Sequence, residues 1–332
     1  MFAQSPGNQG CPTLANHPDS HNEYDSVDDE YVDHTDYRSV RVEPIRASRR
    51  ISLIAFVAAH FAIAALVNLV LFAADTFRPL ASATGGLFTG SLVVNVVLIT
   101  LLVVLIIGKW GGLRPYDVGL VARNIPRGAL YTLALWFGAQ IIHGVLGLIH
   151  HGQIALHPLW ENGGWTVVIG LLLAQIFGNA LFEEIAYRGF LFPQFFLRLN
   201  AWRDYPASHL TLAVVLSQSL FALSHIPNRI YLGMSAAQIA FGLLMLLGWG
   251  VLYTLIYIRT DNLFIVVGIH ALGNTPTTLF ATAPIIDGDG GSFLIYALAF
   301  VALFAYPQWK AHRLRMNRRV DDEPYPALES NS

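Results

Sequence analysis

Charge is what this chain has least of. Asp, Glu, Lys and Arg make up 13% of its 332 residues against 54% hydrophobic residues, and the mean hydropathy is +0.50. So few polar groups cannot coat a water-soluble globule of this length, which makes a membrane protein the default class. Cysteine is nearly absent too, and the single Cys11 rules out both an intramolecular disulfide and a cysteine-rich metal site. Net charge is only −2, and the basic residues fall in short clusters, so nothing here calls for a nucleic-acid partner. There is no HExxH, the usual helix-borne zinc protease signature. There is no GxSxG either, and Cys11 sits in a polar tail, which argues against a nucleophilic serine or cysteine. The first fifty residues carry no apolar run with basic residues before it and a cleavage site after it, so the first apolar segment is expected to stay as an anchor.

What is plentiful is long apolar runs separated by short polar gaps. Each approaches the roughly 20 residues a helix needs to cross about 30 Å of hydrocarbon. Spans are expected near Ile51–Ala74, Gly86–Gly108, Ala129–Ile149, Trp165–Arg188, Leu210–His225, Ala236–Ile258, Leu263–Phe280 and Phe293–Tyr306. The expected fold is therefore all-α: a polytopic membrane helix bundle of about eight transmembrane helices over residues 51–308. A tail, 1–50, acidic and then basic, reads as a disordered segment meeting the membrane surface. A second polar tail, 309–332, follows the bundle. The fifth, seventh and eighth segments are short, but short spans cross where neighbours cover them or the bilayer thins. Loop charge supports an even count. With the N-terminus cytoplasmic, seventeen of the 20 Lys and Arg residues fall inside and only Arg78 and Arg229 outside, Arg188 lying within a helix. Both termini are then cytoplasmic, with the plasma membrane as the expected location.

An ionisable side chain at the centre of a membrane helix costs roughly 2.5–3.5 kcal/mol on insertion scales, so clusters of them need a reason. Three clusters occur. In Glu183-Glu184-Ile185-Ala186-Tyr187-Arg188-Gly189, Arg188 stands one turn after Glu184, in the favourable order, and the two can neutralise each other. Glu183 points about 100° away, on the face shared with Gln175 and Asn179, and has no sequence-local cation. That is the setting of a general base or acid, although a structural hydrogen bond across the bundle fits it equally well. In the second cluster Phe221 and His225 share a face, and a lone interior histidine is more often structural than catalytic. In the third, His270 and Asn274 share a face, while Ala271 and Gly273 allow close helix approach. Together the clusters supply the parts for activating water and stabilising an oxyanion.

In this order and on these helices, the clusters resemble the CPBP family of intramembrane proteases, which includes the CAAX-processing, Rce1-type endopeptidases and many bacterial Abi proteins. The resemblance covers about Arg114 to Asn274. It rests on Glu183, Glu184 and Arg188, on Phe221 and His225, on His270 and Asn274, and on the Tyr187-Arg188-Gly189 continuation. It implies a membrane endopeptidase cutting near the membrane–cytosol interface. Carried over, Glu183 is the base, His225 its partner in activating water, and His270 with Asn274 the oxyanion donors, while Glu184 and Arg188 shape the site. The family is commonly called metalloprotease, yet a glutamate-activated water needs no metal. A divalent metal such as zinc, or none, remains open, with Glu183, His225 and His270 as the ligands if one is held. The partners implied are membrane lipids and a peptide or protein substrate, lipid-modified or not. Two other readings stand beside this one. A catalytically silent relative would act as a membrane scaffold or bacteriocin-immunity factor. A transporter would be expected to show paired repeats with broken helices, and none is visible. One tension is internal: straight helices would put Glu183 and His225 toward opposite ends of their spans.

Overall fold

The computed structural model describes residues 45–158, 160, 164–200, 206–275, 277–281 and 289–304, so most of both expected tails, Cys11 included, lies outside the described residues. The described residues are helical throughout, apart from loops and one isolated bridge between Leu156 and Phe280. Six helices are long and apolar enough to cross a membrane: α1 (Arg50–Phe72), α2 (Gly90–Trp110), α3 (Ala122–His151), α4 (Gly164–Leu199), α5 (Ser208–Tyr231) and α6 (Ala236–Thr260). The other two expected segments appear as shorter helices, α7 (Leu263–Asn274) and α8 (Asp289–Phe304). The chain is an all-α membrane bundle.

Its polarity is inverted relative to a soluble bundle. On α3 the exposed side chains include Leu130, Leu133, Phe137, Ile141, Val145 and Leu148, while Gln140, His143, Gly144 and Gly147 face inward. An apolar stripe turned outward over several turns is what lipid requires and water would penalise. α7 is short because it is enclosed: Leu263 and every residue from Ile265 to Gly273 are buried. It packs on α3 through glycines, since a Cβ on Gly268 would collide with Thr132 and one on Gly128 with Phe264. α7 ends at Asn274 instead of reaching Phe280. Thr275 leaves the helical region at φ −142° and ψ 84°, as a residue preceding a proline tends to.

The largest departure from expectation is α4. It does not stop at Arg188 but runs on to Leu199, because Arg188 is fully buried and paired and so marks no exit to water. The extension packs along α5, with Phe192 and Phe196 against Ala213 and Val214. Glu183 lies roughly as far before the end of α4 as His225 lies after the start of α5, so the two meet at one level and the tension is removed. The chain entering α1 is latched to the same extension. Gln194 accepts from the Ser48 backbone N–H at 2.7 Å and donates to the Arg46 carbonyl at 2.9 Å, and Arg198 donates to the Ser48 carbonyl at 2.8 Å.

Candidate active site

Around the carboxylates α4 is π-helical, over Gln175–Asn179 and again over Glu184–Leu191. Such widenings are rare and frequently occur at functional sites. Gly189 lets the second one pack against the short helical turn Pro115–Val118, because a Cβ there would strike the carbonyl of Val118.

Glu184 and Arg188 pair as their spacing predicts, with Nη1 donating to Oε1 at 3.1 Å and both side chains fully buried. Arg188 also donates to the Gly250 carbonyl at 3.2 Å. Its guanidinium lies 4.6 Å from the Phe221 ring centroid and 5.3 Å from that of Tyr253. The same Glu184 Oε1 lies 2.7 Å from His270 Nδ1. An ionised, Arg-paired carboxylate only accepts, so His270 Nδ1 carries the proton and, in the neutral ring, Nε2 presents a lone pair. Tyr253 stacks on that ring at 4.7 Å.

His225 is fixed by the end of a helix. At the stop in α5 the His225 N–H turns to the Ala222 carbonyl at 3.1 Å, one residue short of the α-helical pattern. The Phe221 carbonyl is thereby released, and it accepts from His225 Nδ1 at 2.8 Å and from Ser224 Oγ at 2.8 Å. A carbonyl cannot donate, so His225 also presents Nε2 as a lone pair. The Phe221 ring meets the His225 ring edge to face at 4.8 Å.

Glu183 lies between the two imidazoles. Its Oε1 is 3.7 Å from His225 Nε2 and its Oε2 is 3.5 Å from His270 Nε2; Oε2 is buried with no hydrogen-bond partner. Two carboxylate oxygens thus face two ring nitrogens whose own protons point elsewhere. Each gap calls for a proton or a water between acceptors. The carboxylate spans the imidazoles instead of converging with them on one point, and no group of three or more His, Cys, Asp or Glu side chains that could hold a metal is found among the described residues. Glu183, His225 and His270 as placed do not fit the ligand set they were expected to offer. Asn274 is exposed at the end of α7, and its Nδ2 donates to Gln175 Oε1 at 3.1 Å, leaving its second N–H unused.

A cavity of about 260 Å³ opens beside Glu183 and His225. Several of its walls were not foreseen. His60 of α1 contributes, with Nε2 2.9 Å from the Tyr187 hydroxyl, which is itself 2.8 Å from Ser224 Oγ. Ser224 spends its proton on the Phe221 carbonyl, so Tyr187 donates to Ser224 and His60 Nε2–H donates to Tyr187. This ordered chain ends on the carbonyl that orients His225. Asn68 and Asn95 also line the cavity. His60, Asn68 and Asn95 were visible as isolated polar residues inside apolar runs, a signal that marks function in membrane helices. Tyr253 carried no such mark.

A family model described as type II CAAX prenyl endopeptidase Rce1-like matches residues 164–276. This stretch is Rce1-like. The match takes in α4 to α7 and thus every expected site residue, and it supports the CPBP-type resemblance at the level of family. Comparison with curated proteins and with solved structures gives no significant match. The Rce1-like stretch leaves out α1 and α2, which supply the far wall of the cavity.

Proposed function

We propose that the protein is an intramembrane endopeptidase in which Glu183 activates water against a peptide carbonyl. The observation that carries this reading is the position of Glu183, flanked by the lone pairs of His225 and His270 on the wall of a partly open cavity. Membership of the matched stretch in a protease family supports it. Water held between Glu183 and His225 gives its proton to the carboxylate as its oxygen attacks the carbonyl carbon. The proton then passes to the departing amine nitrogen as the C–N bond breaks. His270 donates to the oxyanion in its imidazolium form, with a proton taken up from solvent at Nε2 before the attack and kept throughout, and Glu184 against Nδ1 is the group that supports that imidazolium. Asn274 adds its free N–H. Arg188 holds Glu184 in place. Both termini lie on the cytoplasmic side, and the substrate is a membrane-associated peptide or protein.

The test is cleavage of a library of membrane-associated peptides by the purified, reconstituted chain. Glu183→Gln should abolish cutting, a loss of about 10²–10⁴-fold, while insertion and thermal unfolding stay unchanged. Cutting by that variant at the wild-type rate would remove Glu183 from the chemistry. No cutting by the wild type would favour the silent-relative reading. A chelator arm reports whether a divalent ion takes part.

A further inference from the structure

The cavity beside Glu183 is walled by carboxamides: Asn68, Asn95, Gln175, Asn179 and Asn228 all line it. Their internal bonding leaves a definite set of free atoms. Asn95 Nδ2 donates to the Ser91 carbonyl, Asn228 Nδ2 to Asn68 Oδ1, and Asn179 Nδ2 to Gln175 Oε1. With Asn68 Nδ2 donating to the Ala64 carbonyl, those bonds leave Oδ1 of Asn95, Asn179 and Asn228 as unused acceptors, and Gln175 Nε2 and the second N–H of Asn68, Asn179 and Asn228 as unused donors. Acceptors and donors together around one cavity complement the alternating N–H and C=O groups of an extended main chain. The ionisable residues on the lining are His60, Glu183 and His225; no Lys or Arg is among them, and Arg188 is committed to Glu184. Arg229 follows Asn228 in sequence but does not line the cavity.

A free carboxylate entering this space would lose water, meet no cation and approach an existing carboxylate. If round, a 260 Å³ cavity is about 8 Å across, which is about two residues of extended chain at roughly 3.3–3.6 Å each. We propose that the cavity is a main-chain subsite for an uncharged, extended peptide segment, and that it rejects a chain terminus ending in a free carboxylate within two residues of the reacting bond. The substrate class is then an internal peptide bond in an apolar stretch. This rests on the endopeptidase reading, but binding tests it separately.

The experiment measures binding of fluorescent apolar peptides to the full-length Glu183→Gln protein in lipid nanodiscs. The peptide ending as a free acid within two residues of the bond is compared with the same peptide capped as an amide, and with a longer one. Capped and extended peptides should bind alike, and the free acid at least tenfold more weakly. N-methylation of the main-chain N–H groups flanking the bond should weaken binding about tenfold, as should Asn95→Leu or Asn228→Leu. The N-methyl peptides need no protein variant, so they decide the matter if the Leu variants fail to insert. Tighter binding of the free acid, particularly if lost on Arg229→Gln, would overturn the proposal, as would indifference to N-methylation. A protein that obeys these binding rules while its wild type cuts nothing would defeat the endopeptidase reading alone. A wild type that cuts only peptides with a free carboxylate close to the bond would defeat the subsite alone.

Discussion

At the scale of single residues, the site is an arrangement of protons. Glu184 serves two donors at once, Arg188 and His270, and this fixes which nitrogen of His270 faces Glu183. Replacing Arg188 with Met keeps the bulk but leaves Glu184 and the Gly250 carbonyl uncompensated in a fully buried place. Removing one partner of a buried pair costs about 3–5 kcal/mol, so unfolding in detergent should come at clearly lower temperature. Activity should fall as well, because Glu184, which orients His270, loses the arginine that holds it in place. The charged members of the site were legible because their spacing is local: Glu184 with Arg188 and His270 with Asn274 are each one turn apart, and Glu183 stood out by lacking such a partner. The hydrogen-bond chain from His60 through Tyr187 to Ser224 was not, because its bonds join α1, α4 and α5 across 127 and 37 positions. Asn274 was legible as a member of a motif, but nothing local announced that Gln175, 99 positions away, would take up its amide.

At the scale of elements, hydropathy located all eight segments yet misjudged where three of them end, α4, α5 and α7. A buried arginine looked like the edge of a span and was its interior, so α4 was read eleven residues too short. α5 was read as ending at His225, whereas the chain turns there and resumes as Ile226–Tyr231 with a proline in its first turn. That interruption frees the Phe221 carbonyl for the ring of His225. Pro227→Ala should let α5 run on more smoothly, since proline in a helix interior costs about 3 kcal/mol. The expected result is an equal or higher unfolding temperature together with a kcat reduced tenfold or more and little change in KM. A variant losing stability and activity together would show that the break does not serve His225. Such an outcome would set stability against turnover at this peptide, as happens at many active sites.

At the scale of the molecule, charge asymmetry gives a prediction that needs no engineered residue. Cys11 is the single cysteine, so a membrane-impermeant maleimide should leave intact cells unlabelled and label the protein only after permeabilisation. Labelling of intact cells would invert the topology. The bundle also divides its labour along the chain. The acid, the imidazoles and their supports come from the Rce1-like stretch, whereas α1 and α2 close the cavity from outside it with His60, Asn68 and Asn95. On the proposed reading, the reacting groups come from one length of polypeptide and the subsite from both, since Gln175, Asn179 and Asn228 face Asn68 and Asn95 around the same cavity. A relative that exchanged its first two helices would keep the acid and both imidazoles yet present half of a different wall to whatever peptide it met.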